Sequence, residues 1–252
     1  MNIYIASMLI SSLATGTIIT ASTNHWLLAW MGLELNTLAI LPLLTKTRTP
    51  RATESAVKYF LTQTAASTVL LAATTTNALT TDQWDIAQLT TQPALTMMTL
   101  ALMMKLGVAP LHAWLPEVMQ GTSTKMALIL ATWQKLAPFA LLFTMSHLIH
   151  TPTLLTLALL STLIGGWGGL NQTQLRKLMA FSSIAHLGWI TAMLTLNTNL
   201  ALATLGLYIS MTITMFSTMM PTNMKSLKDT TITWPAIPPT LLTTLLTLIS
   251  LG

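Results

Sequence analysis

The sequence contains no cysteine at all. That excludes disulfides, thiolate-held iron–sulfur clusters and cysteine-based zinc sites. Charge is nearly as scarce: 7% of residues are Asp, Glu, Lys or Arg, against about 25% in soluble domains. So few charges cannot cover a water-facing surface. Only six residues are acidic, and the formal net charge is +5. In a soluble protein that excess would suggest an anionic partner, but here the placement of the cations says more than their number. No segment is Pro/Gly- or Ser-rich enough to read as an interdomain linker. The GGWGGLNQ run beginning at Gly165 lacks both the spacing and the Lys-Ser/Thr ending of a phosphate-binding loop.

Long apolar stretches take the place of what is missing. The chain is 52% hydrophobic with a mean hydropathy of +0.66. Apolar runs of about 20 residues, the length that crosses a bilayer, predict nine spans. They lie near residues 3–22, 25–44, 57–78, 94–120, 124–146, 152–171, 175–195, 198–219 and 236–252. Short connections make this one domain over 1–252, an all-α polytopic membrane bundle. The glycines of the 165–169 run then read as close-packing positions between helices. Most of the tryptophans read as interface anchors or bundle packing, and the methionines as fillers of irregular gaps.

The loops test this map. With the N-terminus on one side, the loops of that side collect Lys46, Arg48, Arg51, Lys58, Lys125, Arg176, Lys177, Lys225 and Lys228. The opposite loops carry no Lys or Arg, only Asp82, Asp85 and the histidines His25, His147 and His150. A wrong span count would scatter the cations. By the positive-inside rule the basic side is the compartment in which the chain is made.

Two lysines are left over, and both fall inside spans: Lys105 in LTMMTLALMMKLGVAPLHAWL and Lys135 in KMALILATWQKLAPFALLF. Glu34 is placed the same way in HWLLAWMGLELNTLAILPLL. A centred lysine costs about 2.5–3.5 kcal/mol on insertion scales, so intramembrane charges usually mark an ion or proton path. An inert ion pair with one snorkelling lysine is the plainer alternative. Proline follows each lysine. The fourth span contains Gly107, Pro110 and Pro116, and Pro110 cannot donate to the carbonyl of Leu106, so the span should break about one turn after Lys105, close to Leu106–Pro110. Pro138 should likewise free the carbonyl of Gln134. Broken helices at membrane depth are tolerated where they line a wet or protein-filled cavity. His112 and His186 also lie within spans and are candidates for proton relay or water ordering, although a satisfied buried imidazole explains either nearly as well. No nucleotide, metal or flavin site is evident, and no nucleic-acid-binding surface.

Three segments are more specific than composition: MKLGVAPLHAWLPEVMQG at 104–121, TWQKLAP at 132–138 and GGWGGLNQTQLRKLMAFSSIAHLGWI at 165–190. With GLELN at 32–36 and ESAVKYFLTQ at 54–63, they closely resemble the subunit 2 family of vertebrate mitochondrial NADH:ubiquinone oxidoreductase (complex I). That family in turn resembles the membrane subunits of multisubunit cation/proton antiporters. The resemblance implies an antiporter-like subunit of the proton-pumping membrane arm, multi-pass in the mitochondrial inner membrane. Its partners would be the other membrane-arm subunits and the lipid bilayer. NADH, FMN, the iron–sulfur clusters and ubiquinone would belong to other subunits. Glu34 matches the family's carboxylate, Lys105 its broken-helix lysine and Lys135 its central relay lysine. His186 matches the histidine of an SSI-x-H-x-G motif, and His112 joins them as a candidate relay group. Family members continue past Ser250-Leu251-Gly252 into a further broken helix with a terminal relay lysine. The resemblance therefore implies a C-terminally incomplete chain, cut within its ninth span. A stand-alone cation/proton antiporter subunit is the alternative function, and a structural spacer is a third. The Thr- and Met-heavy composition and the absence of an Arg- and Ser-rich transit peptide favour an organelle-encoded complex I subunit over the antiporter.

Overall fold

In the computed structural model, residues 3–222 and 224–229 are described, and they are helical with short connections. Ten helices run in chain order: α1 Ile3–Ser22, α2 Trp26–Leu44, α3 Pro50–Thr81, α4 Gln92–Leu106, α5 Trp114–Gly121, α6 Thr124–Ala131, α7 Trp133–Thr144, α8 Thr151–Leu170, α9 Leu175–Leu196 and α10 Thr198–Thr222. Single 3₁₀ turns sit at 45–47 and 86–88. Taken as spans, α4–α5 and α6–α7 are each one interrupted crossing. The first eight expected spans are therefore present, and the ninth, 236–252, lies outside the described residues.

Six of these stretches are long and apolar enough to cross a membrane on length and composition, with α6–α7 counted as one. The interrupted α4–α5 is not among them, and neither is α3. At 32 residues α3 is the longest helix, but it is rich in threonine. Its hydroxyls are hidden locally. Thr74, Thr75 and Thr76 each donate to the carbonyl three residues back, at 2.8–2.9 Å. A helix can thus carry polar residues at membrane depth without presenting an unsatisfied donor.

Small residues set the closest helix approaches. A Cβ on Gly32 of α2 would lie 2.8 Å from the carbonyl oxygen of Gly16 in α1, and one on Gly165 of α8 would lie 2.6 Å from the Ala185 nitrogen in α9. Such contacts let backbones touch, which is how helices associate where lipid removes the hydrophobic drive. Within the glycine run the packing role belongs to Gly165 and Gly168, because Gly166 faces open space.

The two ends of the bundle differ as the loop charges foretold. At one end Arg176 donates to the Thr122 carbonyl, Gln120 bonds Gln174, and Leu175 N donates to the Lys225 carbonyl. This gathers the basic loops. At the other end Trp26 N donates to the Trp84 carbonyl and Ile86 N to that of Asn24, and the His25 ring stacks on Trp84.

The interior is layered. One apolar cluster, including Leu33, Leu102, Leu106 and Phe139, fills the half towards His25. A second, including Ile40, Tyr59, Leu115 and Leu130, fills the basic half. Where the two meet lies a buried polar layer of Asn36, Thr37, Gln63, Ser67, Lys105, Thr132 and Lys135.

Candidate functional site

Lys105 closes the last turn of α4, where the exposed carbonyls of a helix C-terminus favour a cation. The break follows at once, but Pro110 is not what ends the helix. Gly107 does, at φ +81°, as a left-handed cap whose N–H returns to Met103 and Met104. Residues 107–113 then run as turns before α5 resumes at Trp114. The two carbonyls before Leu106 are capped by side chains. Trp114 Nε1 donates to Met104 O at 3.1 Å, and Gln63 Nε2 to Lys105 O at 3.4 Å.

The second crossing is interrupted too. Here the break precedes the lysine instead of following it. Thr132 (φ −112°, ψ −70°) separates α6 from α7, and Pro138 sits inside α7. Lys135 N donates only to Thr132 O, one residue short of the α-helical pattern. The Ala131 carbonyl, which Lys135 N would have satisfied, is taken instead by the Tyr208 hydroxyl at 2.8 Å. In both crossings a lysine therefore sits beside a helix break whose carbonyl is capped by a side chain from elsewhere.

Lys105 and Lys135 are 5% and 2% exposed. The Glu34–Lys105 pair is not direct. Lys105 Nζ donates to Ser67 Oγ at 2.7 Å, and Ser67 Oγ donates to Glu34 Oε2 at 2.7 Å. One α3 hydroxyl accepts from the ammonium and donates to the carboxylate, so it is the link between them. Glu34 is half-buried and also borders an outward-opening groove between α1 and α2. Lys135 Nζ donates to Tyr208 Oη at 2.9 Å and stands 4.7 Å from the centroid of the same ring. That arrangement joins a hydrogen bond to a cation–π contact. The His186 ring lies against Tyr208, centroids 5.6 Å apart. Among the described residues no carboxylate forms an ion pair with either lysine.

Both lysines line one narrow crevice, walled also by Asn36, Tyr59, Gln63, Trp114 and Gln134. Its volume of about 10 Å³ is close to what a single water needs. Both polar atoms of the Asn36 amide and Nε2 of Gln134, two residues of its wall, are buried without a hydrogen-bond partner. Buried amides are rarely left in that state unless water serves them.

Four of the five residues singled out from sequence fall in this layer: Glu34 and Lys105 on one side of the crevice, Lys135 and His186 on the other. His112 does not. It lies in the turn after the break, its Nδ1 3.2 Å from the Pro110 carbonyl oxygen, away from the lysines' hydrogen bonds. Ser67, Gln63 and Tyr208 were missed. A hydroxyl inside an apolar helix is too common here to stand out, although Tyr208, one of only three tyrosines, was a signal within reach.

The family model described as NADH:quinone oxidoreductase/Mrp antiporter, TM, matches residues 23–252. The chain belongs to this family. Among relatives of the family, it is 52% identical to NADH-ubiquinone oxidoreductase chain 2 of Xenopus laevis, over all of this chain and 73% of that one. It is 51% identical to the chain of the same name from Salmo salar, over all of this chain and 72% of that one. Among solved structures of the same kind, a chain of respiratory complex I from Thermus thermophilus superposes with a TM-score of 0.80 at 31% identity. The match covers 85% of this chain and 51% of that one, so this chain spans about half its length. A chain of the Mrp complex from a Dietzia species superposes with a TM-score of 0.75 over 82% of this chain and 43% of that one. At 19% identity it shares the fold alone.

Proposed function

We propose that this chain is a membrane-arm subunit of a mitochondrial NADH:ubiquinone oxidoreductase, multi-pass in the inner membrane with its basic end in the matrix. There it would carry protons across the membrane as the complex oxidises NADH. Its partners are the other membrane-arm subunits and the surrounding lipid. The redox steps would fall to those other subunits, and thiolate-held iron–sulfur clusters in particular, since the chain has no cysteine. The whole-chain likeness to chain 2 supports the assignment to the complex. The cation/proton antiporter reading has only the shared family and fold behind it.

The observation that carries the proton role is the polar layer itself. Glu34, Ser67 and Lys105 form a continuous hydrogen-bonded string, and a crevice of single-water size separates it from the Lys135–Tyr208 string. An ammonium at either lysine can hold a proton at mid-depth. Ser67, between the Lys105 ammonium and the Glu34 carboxylate, can pass one while keeping two hydrogen bonds, whereas the Tyr208 hydroxyl, donating to the Ala131 carbonyl, supports Lys135 in place. The crevice is where a water would complete the row. Glu34 and Lys105 act as a charge pair whose spacing changes the hold on the proton. His186 stands behind Tyr208 at the far end of the row.

The test is Lys135→Met in the assembled complex. Methionine keeps the apolar stem and removes a buried charge, so folding should survive. Protons moved per NADH oxidised should fall while the redox chemistry continues. An unchanged ratio would show that the lysine is structural and favour the spacer.

A further inference from the structure

The matrix-side end holds a second cluster of ionisable groups that the mid-depth row does not use. Lys58 Nζ lies 2.6 Å from Glu54 Oε1 and 2.7 Å from Glu117 Oε2. Their side chains are 42–61% exposed, so both carboxylates meet water. They line an open basin of about 340 Å³, which Arg51 from α3 and Lys177 from α9 also face.

The basin is one step from the crevice through two residues. Tyr59 follows Lys58 on α3, and Trp114 precedes Glu117 by three residues on α5. Their rings meet edge to face, centroids 5.6 Å apart. Both rings wall the crevice that holds Lys105 and Lys135. Both are buried, at 2% and 7% exposure.

A purely structural role for the cluster explains little. Exposed ion pairs contribute about 0–1 kcal/mol, and α5 is already fastened without them. Gly121 packs so closely on α3 that a Cβ there would lie 2.7 Å from the Arg51 carbonyl oxygen. Gln120 and Thr122 are tied to Gln174 and Arg176.

We propose that Glu54, Lys58 and Glu117 form the site where the chain takes up matrix protons, with the Tyr59–Trp114 ring pair as the closed gate to the lysine row. The inference rests on the proton-carrier reading above. Matrix water delivers a proton to the Glu117 carboxylate, whose pair with Lys58 is then broken while Lys58 keeps Glu54. When the rings part and water enters, Glu117 passes that proton through the water to the Lys105 or Lys135 amine, whichever is then neutral, and returns to the carboxylate.

The test uses the intact complex in sealed vesicles, with protons moved per NADH oxidised followed as matrix-side pH is raised. Glu117→Gln keeps the shape but cannot take a proton. Its pumping should fall several-fold relative to the unsubstituted complex, most steeply at alkaline pH where protons are scarce, and Glu117→Asp should restore much of it. A Glu117→Gln complex with the unsubstituted pH profile overturns the proposal. If Glu117→Gln assembles poorly, Glu54→Gln, which leaves the Lys58–Glu117 tie in place, must show a milder loss with the same pH trend, and a normal profile there overturns the proposal as well. Lys135→Met is run alongside. If Lys135→Met impairs pumping and the basin variants do not, only the intake fails. If Lys135→Met pumps normally, the carrier reading falls, and the intake with it.

Discussion

The two buried lysines solve one physical problem in different ways. Lys105 has a carboxylate within reach, but through a serine, so its charge is answered by another charge across a shared hydroxyl. Lys135 is answered by a phenol: one hydrogen bond and the face of the same ring. A charge answered by a charge depends strongly on where the carboxylate stands, whereas a ring and a dipole hold the ammonium more weakly and change less as neighbours shift. The first lysine is thus built to respond to something outside it, and Glu34 borders the outer groove where such a signal would arrive. The second is built to receive. The comparison can be broken at three places.

The largest effect should come from Glu34. With two 2.7 Å hydrogen bonds sharing the Ser67 oxygen, the charges stand roughly 4–5 Å apart, and unit charges at that distance attract by about 3–4 kcal/mol at a dielectric near 20. Glu34→Gln keeps the shape and can still accept from Ser67, so it removes the charge and little else. Pumping should then collapse. Glu34→Asp keeps the charge at a greater distance and should retain part of the function. The measurement is protons moved per NADH oxidised at equal assembly. Equal activity of the Gln and Asp variants would mean that Lys105 does not respond to the carboxylate, and the contrast with Lys135 would vanish.

Ser67→Ala should come next. It severs the link without touching either charge, leaving a buried ammonium short of an acceptor, which costs about 1–3 kcal/mol. The assembled complex should lose thermal stability and pump more slowly, but less so than with Glu34→Gln. If only stability changes, Ser67 holds Lys105 in place without joining the two charges.

How far all this could be read from residues alone depends on the kind of signal. The first eight helical spans, and which loops share an end, were legible because the loop cations all fall on one side, and a one-helix error would have scattered them. Glu34, Lys105 and Lys135 were legible because a charge in an apolar run has a cost that must be answered. Ser67 was not, since serine and threonine recur along these helices and most of them, like Thr74, bond their own backbone. Only tertiary packing shows which hydroxyl turns outward to a partner. The helix breaks were half legible. Proline marked both regions, yet the chain turns at Gly107 and Thr132, because a left-handed cap and a captured carbonyl fix the exact residue. His112 was drawn in by residue type, but it sits in the turn those breaks create.

Tyr208→Phe should have the smallest effect of the three, and the most informative shape. It removes the hydroxyl that accepts from Lys135 and donates to the Ala131 carbonyl, while the ring stays beneath the ammonium. A cation–π contact out of water can supply about 2 kcal/mol, so Lys135 keeps part of its support. The freed carbonyl costs more, because it is buried at the Thr132 break with no neighbouring N–H to replace the phenol. Stability should therefore fall by about 1–2 kcal/mol, while pumping falls by no more than a few-fold. Tyr208→Leu removes the ring as well and should lower pumping further. If Tyr208→Phe stops pumping outright while Ser67→Ala does not, the phenol is a required proton carrier and Lys135 is the more demanding of the two lysines, the reverse of the contrast drawn from their surroundings. If Phe and Leu pump alike, the ring face contributes nothing, and the hydroxyl alone sets the environment of Lys135.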